Sequence, residues 1–276
     1  MNAKLPAGLY IVATPIGNLS DMSPRGADML RRVDAIAVED SRVTARLLAH
    51  LGLKKPMIPY HDHVADRVRP ELLKRMREEA IALVSDAGTP LISDPGYKLV
   101  REARSGNIPV TTAPGPCAAI AALTLAGLPT DRFLFLGFLP ARAVAREAAL
   151  REIEAVRATL ILYESGPRLA ATLQALAAIL GERDAAIVRE ISKRFEEIAT
   201  GTPAALADRY REAPPKGEIV ILVAPPGERA APDAEAVDAA LREAMAQLSP
   251  SRAAAEVAER LGVPRRQAYE RALALK

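Results

Sequence analysis

Ser85-Asp86-Ala87-Gly88-Thr89-Pro90-Leu91-Ile92-Ser93-Asp94-Pro95-Gly96 is the stretch around which this chain is organised. It follows Ile81-Ala82-Leu83-Val84, a short apolar run that reads as a buried strand. Residues 97–104, just after it, read as a helix. The stretch is therefore a loop at the carboxyl end of a strand, the edge of an open α/β sheet where ligands sit. Gly88 and Gly96 permit positive φ or close backbone approach. Pro90 and Pro95 stiffen the loop, and Asp86 and Asp94 offer carboxylates at a strand tip. Two consecutive turns with Asx-type hydrogen bonds would use the same residues. A loop this rich in functional groups favours a site.

Outward from the loop, strands are expected over residues 8–13, 35–38, 57–60, 81–84 and 108–112. Helices are expected between them over 24–32, 42–51, 64–79 and 97–104. This alternation predicts a largely parallel sheet. Ser23 before Pro24 is a helix-start signal. Pro114-Gly115-Pro116 breaks the pattern, and a domain boundary is placed there. A second α/β domain follows: helix 117–126, strand 133–137, helix 143–156, strand 159–163, helix 168–180, strands 185–189 and 195–200, helix 203–211, and closing strand 218–223. Its last pairs are close enough in sequence to be partly antiparallel. Residues 224–232 have linker composition, and an Ala-rich helical tail follows. The expected domains are 1–113, 114–226 and 227–276.

Composition narrows the function classes. Of the 276 residues 50% are hydrophobic, but aromatics are only 4% and Trp is absent. The core must be built from Ala, Leu, Ile and Val, with no broad aromatic platform for unpaired bases. A single cysteine excludes an internal disulfide and suits a reducing compartment, so a cytoplasmic location is expected. No apolar run approaches the ~20 residues of a membrane span, and residues 1–6 lack the apolar core of a signal peptide. The net charge is +3, and residues 249–276 alone carry six Lys/Arg against three Glu. If RNA is bound, the tail is an obvious place for phosphate contacts.

Several clusters carry chemistry. Thr14-Pro15-Ile16-Gly17-Asn18 lies between a strand and a helix and can present backbone N–H groups to a ligand; a tight turn needing only the φ freedom of Gly17 fits equally. It lacks the Gly-x-Gly-x-x-Gly dinucleotide pattern. Residues 114–119 begin a helix whose free N–H groups favour a carboxylate. Cys117 within it reads as a small packing residue rather than a nucleophile. Tyr163-Glu164-Ser165 ends a strand, and a buried Glu164 needs a partner such as Arg168 or Arg189. Arg189-Glu190-Ile191-Ser192-Lys193 follows the next strand and could equally be a surface ion-pair cluster. Asp40 can cap the following helix. His61-Asp62-His63 lacks the further ligands usual for zinc, so no metal is expected. In the tail, Gly262 ends one helix and Pro264 starts the next, with Arg265 and Arg266 in its first turn. That is a helix-turn-helix pattern, or else a packed helical hairpin.

Five segments keep a common order and spacing: residues 13–19, 38–42, 85–96, 113–119 and 163–165. Together they resemble the ribosomal RNA small subunit methyltransferase I family, a branch of the tetrapyrrole (corrin/porphyrin) methylase superfamily. The resemblance runs from about Leu9 to the C-terminus. It implies an α/β, two-domain tetrapyrrole-methylase-like fold with mixed, mainly parallel sheets, plus a small C-terminal helix-turn-helix-like domain. It implies S-adenosyl-L-methionine-dependent 2′-O-methylation of a cytidine in the decoding region of 16S ribosomal RNA, with the small ribosomal subunit as partner and a homodimeric enzyme. Cofactor contacts are then expected from Pro15, Gly17, Asp86, Ala87, Gly88, Leu91, Cys117, Ala118, Tyr163, Glu164 and Ile191. The ribose hydroxyl is a weak acid, so Glu164 or Glu190 is expected to accept its proton and Arg189 or Lys193 to hold the ribose or its phosphate. Arg42, Arg252, Arg265 and Arg266 are expected to meet RNA. The alternatives are a tetrapyrrole (precorrin-type) methyltransferase and a small-molecule-sensing regulator that reads nucleic acid with its tail.

Overall fold

The structure, a computed structural model, describes residues 4–227 and 234–275, apart from the His63 side chain. The expected linker therefore lies partly outside the described residues. The chain forms two compact units, Met1–Pro225 and Pro226–Lys276.

The first unit holds two five-stranded sheets. One is built from β1 (Gly8–Val12), β2 (Ala35–Val38), β3 (Met57–Pro59), β4 (Ala80–Val84) and β5 (Val110–Ala113), with α1 (Pro24–Arg32), α2 (Ser41–His50), α3 (Asp62–Arg75) and α4 (Tyr97–Ser105) between them. Its order is β3-β2-β4-β1-β5 and every pairing is parallel. Side-chain alternation sorts its core into two layers. Tyr10, Val12, Ala82 and Val84 pack with Met29, Leu30, Leu47 and Leu48 of α1 and α2. Leu9, Ile81 and Leu83 pack with Leu72, Leu99 and Ala103 of α3 and α4. Strands covered on both faces need continuous apolar runs, and β2 and β4 are buried at every position. Ser23 caps α1, accepting a hydrogen bond from Gly26 N–H at 3.0 Å, with Pro24 at its start. The third helix was expected at residue 64 but begins at Asp62, because an acidic residue in the first turn suits the positive helix N-terminus.

The second sheet comprises β6 (Phe133–Phe138), β7 (Thr159–Ser165), β8 (Ala185–Arg189), β9 (Glu197–Gly201) and β10 (Glu218–Val223), in the order β6-β7-β10-β8-β9. Helices α6 (Ala143–Glu152), α7 (Gly166–Leu180) and α8 (Pro203–Arg211) cover one face, and α5 (Ala118–Leu125) covers the other. The antiparallel character expected for the last pairs goes further here. Only β6 and β7 pair in parallel, whereas β10 enters between β7 and β8 and runs against both. A short connection turns β9 back along β8. The crossover through α8 then gives β10 the direction of β9.

The second unit is a three-helix cluster: α9 (Ala234–Met245), α10 (Pro250–Leu261) and α11 (Arg265–Ala274). Its core is small side chains plus Val237, Leu241 and Val257. Gly262 ends α10 in the left-handed conformation, φ 70°. Arg271 clamps α11 to α9 by two hydrogen bonds to Asp238, at 2.7 and 2.8 Å. Among the described residues no helix is long and apolar enough to cross a membrane.

Gly166 opens α7 against the backbone: a Cβ there would lie 1.7 Å from the Pro215 carbonyl oxygen. Gly166→Ala is expected to cost about 1–3 kcal/mol, the usual range for overpacking. The measurement is a lowered urea midpoint at unchanged slope; an unchanged midpoint would show that the loop carrying Pro215 yields freely.

Candidate active site

The strand order places a switch point between β4 and β1, because the connections leaving their carboxyl ends run to opposite sides of the sheet. Two loops meet there. Thr14 N–H donates to Gly88 O at 2.9 Å, and Gly88 N–H donates back to Thr14 O at 3.1 Å. The buried Thr14 hydroxyl adds a bond to Ser85 O at 3.3 Å. Gly88 sits at φ +81°, and Thr89 Oγ1 donates to Pro116 O at 2.9 Å, joining the loop to the start of the second half.

Facing this switch point is a cavity of about 340 Å³. Its floor on the first half is Ile16 and residues 86–89; on the second it is Cys117, Ala118, Tyr163 and the start of β10. Cys117 precedes α5 without capping it by its side chain. Ala119 N–H donates to Tyr163 Oη at 3.2 Å. Burial pushes the Tyr163 phenol well above its ordinary range, and the neighbouring Cys117 adds to this, so Tyr163 stays protonated.

On the first half three carboxylates line the cavity, Glu39, Asp86 and Asp94, while Glu164 and Glu218 border it on the second. Asp40 N–H donates to Asp86 Oδ1 at 3.0 Å, and Asp86 N–H reaches Glu39 Oε2 at 3.5 Å. Burial raises the three carboxyls of the first half above the usual range. For Glu39 the charges of Asp94 and Asp86 raise it further, and for Asp94 the charge of Asp86 adds while a hydrogen bond from Ser85 opposes. A cationic group in the cavity would relieve this repulsion. Among the described residues five non-glycines have positive φ, and four lie in the loops bordering the crease: Leu91, Ser93, Glu190 and Ser192. Strain of this kind collects at functional sites.

The expected residues divide. Asp86, Ala87, Gly88, Cys117, Ala118, Tyr163 and Glu164 border the cavity, whereas Pro15, Gly17, Leu91 and Ile191 do not. Ile16 takes the place expected of Pro15. The open face of Gly17 is filled from the second half, since a Cβ there would lie 2.5 Å from Lys193 Cγ and 3.0 Å from Ile191 O. Leu91 turns into the core beneath the loop. The Glu164 side chain points away from the cavity toward α7, only 3% exposed. It accepts from Thr172 Oγ1 at 2.7 Å and from Ser165 N–H at 2.8 Å, and pairs with Arg168 Nε at 3.1 Å. Arg168, not Arg189, is thus its partner. Arg189 instead pairs with Glu197 at 2.6 Å. Glu190 and Lys193 do come together: Lys193 Nζ lies 3.0 Å from Glu190 Oε1 and 3.5 Å from Glu218 Oε2 at the cavity rim. Burial lowers the Lys193 ammonium, but the two carboxylates outweigh it and raise its pKa, so it stays charged.

Arg42 folds back onto Asp40 at 2.6 Å and draws that carboxyl down to about 2. Arg252, Arg265 and Arg266 are exposed in the second unit, Arg266 pairing with Glu270 at 2.9 Å. Sequence reasoning offered Asp94 as a strand-tip carboxylate of the central loop without giving it a role, and did not assign Glu39, Phe138 or the start of β10 to the site. Glu39 and Asp94 carried a signal, an acidic residue in a loop at a strand's carboxyl end. Residues 217–220 carried none, because only the insertion of β10 beside β7 brings them there.

A doubly wound parallel sheet with its switch point facing a second α/β half is the architecture of a methyltransferase of the tetrapyrrole methylase class. The Tetrapyrrole (Corrin/Porphyrin) Methylases family model matches residues 8–207, and the RsmI C-terminal HTH domain model matches residues 230–276. A solved structure of diphthine synthase shares the fold, with a TM-score of 0.62, 14% identity, and coverage of 78% of this chain and 89% of that one. The ribosomal RNA small subunit methyltransferase I of Erythrobacter litoralis is 53% identical over 99% of this chain and 96% of its own length. That of Mesorhizobium japonicum is 47% identical over 99% of this chain and 93% of its own. The chain belongs to the ribosomal RNA small subunit methyltransferase I family.

The raised carboxyls give a pH signature. Between the unfolded and the higher folded pKa, the folded state holds more protons, so stability falls as pH rises through that window. Glu39→Gln is therefore expected to raise the melting temperature of the ligand-free protein at pH 7. The gain should vanish toward pH ~4 and below, where Glu39 is protonated in both states. Melting curves from pH 4 to 8 check this; a gain independent of pH would refute it.

Proposed function

We propose that this chain methylates a ribose 2′-hydroxyl of a cytidine in the decoding region of 16S ribosomal RNA, with S-adenosyl-L-methionine held in the crease. The observation that carries the reading is the cavity at the switch point, lined both by three carboxylates of the first half and by the first turn of α5. The carboxylates suit a cationic ligand, and a helix N-terminus suits a ligand carboxylate. Family membership supports the acceptor. When bound, S-adenosyl-L-methionine supplies a methyl group on a cationic sulfur to an oxygen nucleophile.

The chain's own residues divide the remaining work. Asp86, Glu39 and Asp94 offset positive charge, and Gly88, Ala87 and Ala118 present backbone to the ligand. Glu164, its oxygens already engaged by Thr172, Ser165 and Arg168, holds the start of α7 in place rather than taking a proton. Glu190 is the better base, held at the rim beside Gly217. Lys193, charged and anchored by two carboxylates, steadies a developing alkoxide or an adjacent phosphate. A reactive pair needs its atoms about 3–3.5 Å apart, and the 190–193 loop, with positive φ at Glu190 and Ser192, carries both Glu190 and Lys193. Arg252, Arg265 and Arg266 meet RNA phosphates. The substrate is the small ribosomal subunit and the working form a homodimer, which sedimentation of the purified protein would check.

The test is transfer of labelled methyl groups from S-adenosyl-L-methionine to small subunits lacking the modification, beside free 16S RNA and a tetrapyrrole acceptor. Label on a ribose 2′-oxygen is expected; label on the tetrapyrrole alone overturns the reading. Glu190→Gln and Lys193→Met should each slow transfer by roughly 10²-fold or more, as loss of a proton-transfer group does, without weakening cofactor binding. Glu164→Gln should lower the melting temperature more than the rate. Arg265→Ala should reduce the salt slope of RNA binding by about 1.

A further inference from the structure

Phe138 is one of only four phenylalanines in the chain, and it stands 57% exposed at the cavity wall. Its position depends on an irregularity in β6. Phe135 pairs with Ile161, but the next partner, Leu162, faces Gly137, so Leu136 is an extra residue. Gly137 accommodates the bulge at φ +62°. In a regular strand residues 135 and 138 would point to opposite faces. The bulge returns Phe138 to the face of Phe135, opposite Tyr163. Both rings then meet Tyr163 edge-on, with centroids 4.9 Å away for Phe135 and 5.6 Å for Phe138. Bulges next to active sites re-aim side chains in this way. The bulge also abuts the central loop: a Cβ on Gly137 would lie 3.0 Å from Ser93 Oγ.

The ring is more exposed than core packing requires. Phe135 already covers Tyr163 from one side, so Phe138 leaves a free aromatic surface directed at solvent on the cavity border. Glu39, Asp86 and Asp94 line the same cavity and repel phosphate, so a nucleotide must enter with its phosphates outside. Enzymes that modify nucleotides within RNA commonly read a splayed base by stacking it on an aromatic ring. The geometry points to Phe138 as the residue on which the base of the target nucleotide stacks, an inference that rests on the RNA methyltransferase reading above.

The test uses the full chain as wild type, Phe138→Leu and Phe138→Tyr. Leucine keeps apolar cover over Tyr163 but removes the π face; tyrosine keeps both. Methyl transfer to small ribosomal subunits gives kcat/KM, and titration calorimetry gives the affinity for S-adenosyl-L-methionine. Phe138→Leu is expected to lose about 5- to 150-fold in kcat/KM, the equivalent of ~1–3 kcal/mol of base stacking. Cofactor affinity should be unchanged, and Phe138→Tyr should retain the wild-type rate. The inference is overturned if Phe138→Leu keeps the wild-type kcat/KM, if its loss is matched by an equal loss of cofactor affinity, or if tyrosine does no better than leucine. Wild-type protein that methylates a tetrapyrrole but no RNA would overturn the RNA reading itself, and this inference with it. A wild type active on RNA isolates the question to Phe138.

Discussion

The pair of backbone hydrogen bonds exchanged by Thr14 and Gly88 is the constraint on which the rest of the site depends. They close the mouths of β1 and β4 against each other at the point where the sheet's connections diverge. Gly88 makes this bridge at φ +81°, where a Cβ would lie 3.3 Å from Ile16 Cγ2. The second half is then hung from the same point. Thr89 holds Pro116, Gly115 sits on Ala13 so closely that a Cβ there would lie 2.9 Å from Ala13 Cβ, and Lys193 lies across Gly17. These contacts tie the two halves together along the crease.

The crease also concentrates backbone strain. Leu91, Ser93, Glu190 and Ser192 each hold a left-handed backbone conformation, at a cost of order 1–3 kcal/mol apiece. Three half-buried carboxylates of the first half face one cavity; burial raises all three, and the charges of Asp94 and Asp86 raise Glu39 further. These costs sit together, at the crease, while the sheets behind it are built from unstrained apolar layers. Clustered half-buried carboxylates repel one another, and a cationic group among them would relieve that repulsion.

Charge is handled differently elsewhere in the molecule. Glu164 is almost fully enclosed, yet each of its oxygens has a partner, as a buried carboxylate requires. Arg189, Glu197, Arg209 and Tyr210 form a network at the β9 edge. These groups are consumed by structure. Lys193 differs in that one of its two carboxylate partners, Glu218, borders the cavity.

Local chemistry determined much of this protein from the sequence alone. The strand-loop-helix reading of residues 81–104, the cap at Ser23 and the α10–α11 turn at Gly262 all follow from periodicity and from residues with restricted backbones. They were legible because their causes lie within a few residues of their effects. The cavity's Asp86, Gly88, Cys117 and Tyr163 were legible for the same reason, each sitting at a strand tip or helix start. Only the tertiary structure decided that β10 enters between β7 and β8, because strand pairing is set by packing between segments far apart in sequence. It likewise decided that Glu164 turns toward Arg168, that Lys193 packs across Gly17, and that a bulge at Leu136 brings Phe138 to the cavity. Strand alternation assigns a side chain to one face or the other, but one extra residue reverses the assignment, and which partner fills a glycine's empty face is a matter of contacts the local sequence does not contain.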